Sequence, residues 1–99
     1  MDKKDILIQL KKLKSKYEQE GLIILGLFGS YANDTQNKFS DIDVVYKLDY
    51  DTFSQKYKDG FTKLLRINDI KSELQKIFKK KIDLVPGNNH SIIKGLIRV

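Results

Sequence analysis

The sequence predicts an α/β domain in which a small mixed sheet of about three strands is flanked by helices. Stripes of apolar residues at helical spacing alternate along the chain with short, nearly continuous apolar runs, and this order is typical of strands covered by helices. The chain has 99 residues, of which 40% are hydrophobic and 32% are charged, with a single proline. That length supports one hydrophobic core, so we expect residues 1–99 to form a single domain.

The first half of the chain predicts one helix and two strands. Residues 2–20 form an amphipathic helix that Gly21 ends, with a stripe of Ile6, Leu10, Leu13 and Tyr17. Leu22 to Phe28 is apolar throughout and too short for a typical helix, which favours an interior strand buried on both faces. After one helical turn at Tyr31 and Ala32 and a polar loop, Asp41 to Leu48 is the second strand, whose face opposite the aspartates carries Ile42, Val44 and Tyr46.

The second half predicts two helices and a third strand. Asp49 to Asp51 can cap a helix that Gly60 weakens and that carries Phe53, Tyr57, Phe61, Leu64 and Leu65. A further helix, capped by Asn68 or Asp69 and closed by Lys79 to Lys81, carries Ile70, Leu74, Ile77 and Phe78. The third strand is Ile82 to Val85, stopped by Pro86 and Gly87.

The tail returns to helical spacing at Ile92, Ile93, Leu96 and Ile97, with Gly95 inside the pattern. These residues could close the core or dock a partner helix, and closing the core is the favoured interpretation.

Composition excludes several kinds of site. The chain has no cysteine and one histidine, His90, so disulfides and zinc sites built from cysteine and histidine are excluded. We expect His90 to lie at the surface and assign it no chemistry. No apolar run approaches the ~20 residues that span a bilayer, and the N-terminus lacks the apolar core of a signal peptide. We therefore expect a cytoplasmic protein without a membrane partner.

The net charge of +6 is compatible with binding to nucleic acid, an acidic partner or a nucleotide polyphosphate. Most lysines, however, are spread over the predicted helices, where mixed charged faces are usually solvated. The sequence also lacks a stacking motif for bases, which argues against direct nucleic-acid binding.

Two aspartates open the second strand. Because alternate strand residues point to the same face, Asp41 and Asp43 project together, roughly 6.5 to 7 Å apart along the strand. Carboxylates held side by side repel each other and usually need a cation between them, and hard oxygen ligands suit Mg²⁺. The sequence therefore predicts a magnesium site at the start of this strand.

Asp83 and the Gly29-Ser30 turn could complete such a site. Asp83 lies among apolar residues of the third strand and is by itself equally consistent with an edge residue facing water. Together with Asp41 and Asp43 it is a candidate third ligand for two divalent cations and a phosphoryl group. Gly29 would let a phosphate approach the backbone and Ser30 offers donors, although alone the pair fits an ordinary strand-to-helix turn.

As a set, Gly29-Ser30, Asp41, Asp43 and Asp83 resemble the signature of the polymerase-beta-like nucleotidyltransferase superfamily. The segments Gly29 to Ala32 and Ser40 to Val45 are especially similar to minimal nucleotidyltransferases, the short antitoxins encoded beside HEPN-domain toxins in prokaryotes. The resemblance covers nearly the whole chain, from the first helix through Val85.

The resemblance implies a Mg²⁺-dependent enzyme that transfers AMP from ATP to a tyrosine of a partner HEPN ribonuclease and so silences it. It implies that Gly29 and Ser30 bind the β- and γ-phosphates and that Asp41 and Asp43 bind two Mg²⁺ ions. Asp83 would join the metal that activates the acceptor hydroxyl and assist its deprotonation.

One segment departs from the family pattern. Many relatives continue the Gly-Ser motif with an Arg-Gly pair where this chain has Asn33-Asp34, so a cation is lost and an anion gained. Lys38 or a helical lysine is the candidate replacement. Two alternatives follow: an antitoxin that neutralises its toxin by binding only, and a basic nucleic-acid-binding module.

Overall fold

The computed structural model describes residues 2–88 and 94–99, which form four helices and four strands within these ranges. In chain order the elements are α1 (Lys3–Glu18), β1 (Leu22–Phe28), α2 (Gly29–Ala32), β2 (Ile42–Leu48), α3 (Tyr50–Lys56), α4 (Gly60–Phe78), β3 (Ile82–Pro86) and β4 (Ile97–Arg98). The predicted α/β class and small mixed sheet are confirmed. Among the described helices, none has both the length and the apolar character needed to cross a membrane.

The sheet has the strand order β3-β2-β1-β4 and contains both kinds of pairing. Strand β2 is antiparallel to β1 and parallel to β3, and β4 is antiparallel to β1. The prediction of a helical tail is wrong at Ile97, which pairs with Leu27 as part of β4 and packs against the core. Ile92 and Ile93 of the same prediction lie outside the described residues, as does His90, for which we expect a surface position.

Strand β4 fits beside β1 because Gly26 has no side chain. A Cβ at Gly26 would lie 2.0 Å from the carbonyl oxygen of Ile97, closer than any real contact. The two backbones therefore approach at a point where only glycine is tolerated.

A bulge in β1 changes which side chains face the core. Ile24 pairs with Tyr46 but Gly26 pairs with Val45, so β1 carries one extra residue at Leu25. Before the bulge Ile24 faces the core, and after it Leu27 does. Phe28 is thereby placed on the opposite face of the sheet.

The hydrophobic core lies between one face of the sheet and the helices. Its buried residues come from every element but β4, namely Ile6, Leu10, Tyr17, Leu22, Ile24, Leu27, Tyr31, Ala32, Ile42, Val44, Tyr46, Phe53, Ile70, Leu74, Phe78 and Ile82. The predicted alternation in β2 is confirmed, because Ile42, Val44 and Tyr46 are all buried here. Asp43 projects from the other face, which also carries Phe28 and Asp83 and is called the site face below.

The first helix of the second half begins as predicted, with Asp49 as the cap of α3, but the division between α3 and α4 differs from the prediction. The break falls between Lys56 and Gly60, where Asp59 caps α4 by accepting a hydrogen bond from the backbone N–H of Thr62. Asn68 and Asp69 are not caps, because they lie inside the continuous helix α4. A polar pair on a solvent-facing turn does not interrupt a helix whose other face is buried.

Exposed apolar residues mark the first half of α4. Phe61, Leu64 and Leu65 keep the predicted helical spacing but are 71%, 65% and 49% exposed. They lie outside the helix face on which Ile70 and Leu74 are buried. Their spacing therefore correctly predicts a helix, but it does not identify residues of the core.

An ion-pair network joins the helices. The Arg66 guanidinium donates Nε and Nη2 to the two carboxylate oxygens of Glu20 at 2.8 and 2.7 Å, and Nη1 to Glu73 at 2.7 Å. The Tyr17 hydroxyl donates to Glu73 at 2.9 Å, and the Tyr57 hydroxyl donates to Glu20. The hydrogen bonds from Arg66 hold the pKa of Glu20 below its ordinary value, and Arg66 in turn has a raised pKa.

We predict that Arg66→Met lowers the free energy of unfolding by about 2 kcal/mol, because two half-buried carboxylates lose their shared cation. Arg66→Lys should recover only part of the loss, since an ammonium cannot donate the paired hydrogen bonds that Glu20 accepts. Urea unfolding followed by circular dichroism measures both. Lys76→Met, which replaces an exposed lysine of the same helix, is the control. Equal unfolding midpoints for Arg66→Met and Lys76→Met would contradict the assignment.

The same network predicts a dependence on pH. The pKa of Glu20 lies below its ordinary value of 4.5, so its carboxylate stabilises the fold above that pH and the stabilisation is lost as the pH falls through the folded-state pKa. We expect Glu20→Gln to be less stable than the wild type at about pH 7, and by a smaller margin at about pH 3. Urea unfolding at both values tests this, and a constant difference would refute it.

Candidate active site

Asp43 and Asp83 are direct neighbours on the site face. Strands β2 and β3 run parallel with Asp43 opposite Asp83, flanked by the pairs Ile42–Ile82 and Val44–Leu84. The flanking pairs turn toward the helices, and their register leaves the two aspartates side by side on the other face. The sheet therefore brings together carboxylates that are 40 positions apart in sequence.

Asp41 precedes β2 and adds a third carboxylate to the same region. Partial burial raises the pKa of Asp43, and the charges of Asp83 and then Asp41 raise it further. Asp41 and Asp83 are exposed, whereas Asp43 is half-buried. Within the described ranges no lysine or arginine forms an ion pair with any of the three, so their mutual repulsion is not offset by a side chain.

Gly29 lies against the Asp43 carboxylate. A Cβ at Gly29 would lie 2.1 Å from Oδ2 of Asp43, and its φ of +76° is one that residues with a side chain rarely adopt. Phe28, the residue before it, pairs with Asp43 across β1 and β2. The Gly29-Ser30 turn thus meets Asp43, and Ser30 is half-buried in the short helix α2.

The donor chemistry of this corner suits Mg²⁺, since three carboxylates offer only hard oxygen ligands and the repulsion around Asp43 favours a cation. The side chains are not gathered into a finished three-ligand site. Among residues 2–88 and 94–99, no group of three aspartate, glutamate, histidine or cysteine side chains converges closely enough to hold a metal ion. The structure thus brings the carboxylates to one corner, and their roles as ligands stay a prediction.

The segment that departs from the family pattern is tied to α1. Asp34 has a left-handed backbone, with φ of 59°, and its carboxylate accepts a hydrogen bond from Lys3 Nζ at 2.8 Å. The negative charge of Asp34 is therefore paired with Lys3 of α1.

A basic cavity beside Asp41 is the feature that sequence reasoning missed. It has a volume of about 290 Å³ and is lined by Lys38, Phe39, Ser40, Asp41, Lys80 and Lys81. Helix α4 ends at Phe78, and Lys79 adopts a left-handed conformation with φ of 53°. Lys80 and Lys81 therefore follow the helix end and lead into β3, so the prediction that the lysine run closes the helix is wrong for these two residues.

A larger cavity, of about 540 Å³, lies at the other end of β2. Its lining includes Tyr46, Leu48, Tyr50, Ile67 and Pro86, and none of the predicted site residues. The carboxylates and the Gly-Ser turn therefore lie outside this larger cavity.

Comparison with known proteins identifies the family. The chain matches the nucleotidyltransferase domain family over residues 6–98. Three proteins of Methanocaldococcus jannaschii, each named a "putative protein adenylyltransferase", are similar to it. One is 38% identical over 96 residues, which cover 96% of this chain and 78% of that protein. A second is 34% identical over 87 residues, covering 87% and 76%, and a third is 35% identical over 83 residues, covering 83% and 72%.

No solved structure matches the chain significantly. The resemblance to nucleotidyltransferases is nevertheless confirmed, because the family model matches nearly the whole chain and the similar proteins are named as adenylyltransferases. The chain belongs to the nucleotidyltransferase domain family, and its activity is the transfer of a nucleotidyl group.

Proposed function

We propose that this nucleotidyltransferase transfers AMP from ATP to a hydroxyl group of a protein. The observation that carries the proposal is that Asp43 lies beside Asp83 and against Gly29, with Asp41 just before the same strand. The names of the three similar proteins, protein adenylyltransferases, support a protein as the acceptor.

Each residue of the site has its own role in the proposed reaction. Gly29 and Ser30 bind the β- and γ-phosphates of ATP through backbone and hydroxyl donors, at the one point where a side chain would collide with Asp43. Asp41, Asp43 and Asp83 would hold two Mg²⁺ ions, which would supply positive charge to the phosphates and to the acceptor oxygen. The acceptor hydroxyl oxygen forms a bond to the α-phosphorus, the bond to the bridging oxygen breaks, and pyrophosphate leaves. Asp83 assists removal of the hydroxyl proton.

The acceptor in this proposal is a tyrosine of a HEPN ribonuclease, as in the antitoxins that the motif resembles. Added AMP would silence the ribonuclease, so the protein would act as an antitoxin in the cytoplasm. This partner rests on the resemblance alone.

The direct test combines the protein with ATP, Mg²⁺ and the product of the neighbouring gene, and looks by mass spectrometry for AMP on tyrosine. We expect Asp41→Asn, Asp43→Asn and Asp83→Asn to lower the rate at least about a hundredfold, since each removes charge stabilisation from the transferring group. Asp69→Asn, an exposed aspartate of α4, is the control.

The unfolding free energy separates loss of chemistry from loss of fold. Because partial burial and then the charges of Asp83 and Asp41 raise the pKa of Asp43, the charged carboxylate destabilises the fold, and Asp43→Asn should be at least as stable as the wild type. Ribonuclease inhibition without AMP transfer would instead indicate an antitoxin that acts by binding only. Salt-sensitive RNA or DNA binding without Mg²⁺ and nucleotide would indicate a nucleic-acid module.

Gly29→Ala tests the turn. We predict a stability loss of about 1–2 kcal/mol from the left-handed backbone, and a fall in AMP transfer because the new methyl group displaces the Asp43 carboxylate. Gly60→Ala is the matched control, since a Cβ there meets no atom within 4 Å. If Gly29→Ala keeps full transfer activity, close contact between the turn and Asp43 is not required for the reaction.

A further inference from the structure

The basic cavity beside Asp41 has the features of a binding site. Phe39 is 81% exposed, and the ammonium of Lys38 lies 5.0 Å from the centre of its ring. Lys80 and Lys81 approach from the segment before β3 and line the same cavity. An exposed aromatic ring among lysines offers an apolar face with positive charge around it, to which another molecule can bind.

The lysines of the cavity have positive charge available for a ligand. Lys80 donates to the backbone carbonyl of Lys38 at 3.2 Å and lies 5.8 Å from the ring of Tyr31, which fixes its position without neutralising it. In the described part of the chain, none of Lys38, Lys80 and Lys81 forms an ion pair with a carboxylate. The three lysines outnumber Asp41, which is the carboxylate of this lining, so the field at the cavity favours an anionic group.

The cavity lies on the side of the site from which an acceptor must arrive. Asp43 has Phe28 of β1 on one side and Asp83 of β3 on the other, and Gly29 follows Phe28 directly. Lys80 and Lys81 lead into β3, so the cavity lies toward the β3 side. In an in-line displacement the attacking and leaving oxygens lie on opposite sides of the phosphorus. With pyrophosphate held at the Gly29 turn, the acceptor oxygen enters from the side of the lysines.

We propose that Lys38, Phe39, Lys80 and Lys81 bind an acidic segment of the acceptor protein next to the hydroxyl that is modified. This inference rests on the proposed function and adds the chemistry by which the acceptor is chosen. A single ring over a cavity of about 290 Å³ suits a short peptide segment, whereas single-stranded nucleic acid is usually bound by several stacking rings along a groove.

The test measures binding without requiring transfer. The probe is a fluorescent random copolymer of glutamate and tyrosine, compared with a lysine–tyrosine copolymer and a single-stranded RNA by fluorescence anisotropy. We expect the glutamate–tyrosine copolymer to bind about tenfold more weakly to the Lys38→Glu/Lys81→Glu double variant. Lys11→Glu/Lys12→Glu changes the net charge equally at two exposed residues of α1 and should bind as the wild type does. Phe39→Ala should also weaken binding.

Binding of a fluorescent ATP analogue with Mg²⁺ is measured on the same proteins and should not change in the Lys38→Glu/Lys81→Glu variant. Equal weakening of copolymer binding in both double variants would overturn the inference, because net charge alone would then be responsible. Loss of ATP-analogue binding would overturn it in favour of a triphosphate site, and tighter binding of RNA in favour of nucleic acid. Copolymer binding through these lysines in a protein that transfers no AMP would retain the site and refute the proposed function instead.

Discussion

The structure depends on the parallel pairing of β2 and β3, which sets Asp43 and Asp83 side by side. This register is costly by itself, because it holds like charges together on a half-buried surface. The same two strands offset the cost on their other face, where Ile42, Val44 and Ile82 are buried in the core. A slip of one residue would exchange the faces and bury the aspartates. The core therefore specifies the register that the candidate site requires.

Much of the fold could be predicted because the residues that are buried recur along the sequence with the period of a helix or of a strand. The stripe in α1, the apolar run of β1 and the alternation in β2 each report one buried face, and the structure has those elements near the expected residues. The predictions fail where tertiary contacts decide. Strand β4 exists because Gly26 admits another backbone, and α4 continues through Asn68 because its opposite face is buried. Neither contact is visible in local spacing.

The candidate site was predictable in its residue types and only partly in its arrangement. The spacing of Asp41 and Asp43 implies a shared face, but the proximity of Asp83 depends on a pairing between distant segments. The position of the Gly29 turn likewise depends on a structural feature, the bulge in β1. Without its extra residue, Phe28 would face the core, and the Gly29 turn would leave the sheet on the helix side. Sequence periodicity contains no sign of this change of face.

The ion pairs that stabilise the fold and the residues of the candidate site lie on different faces of the sheet. The Arg66 network ties α4 to Glu20 and, through Tyr17 and Tyr57, to α1 and the end of α3, all on the helix side. The site face instead carries carboxylates that repel one another and lysines that no described carboxylate neutralises. Charges there are poor at holding a fold but well suited to charged ligands, which offset the repulsion when they bind. A domain this small can keep such a site because its stabilising ion pairs lie elsewhere.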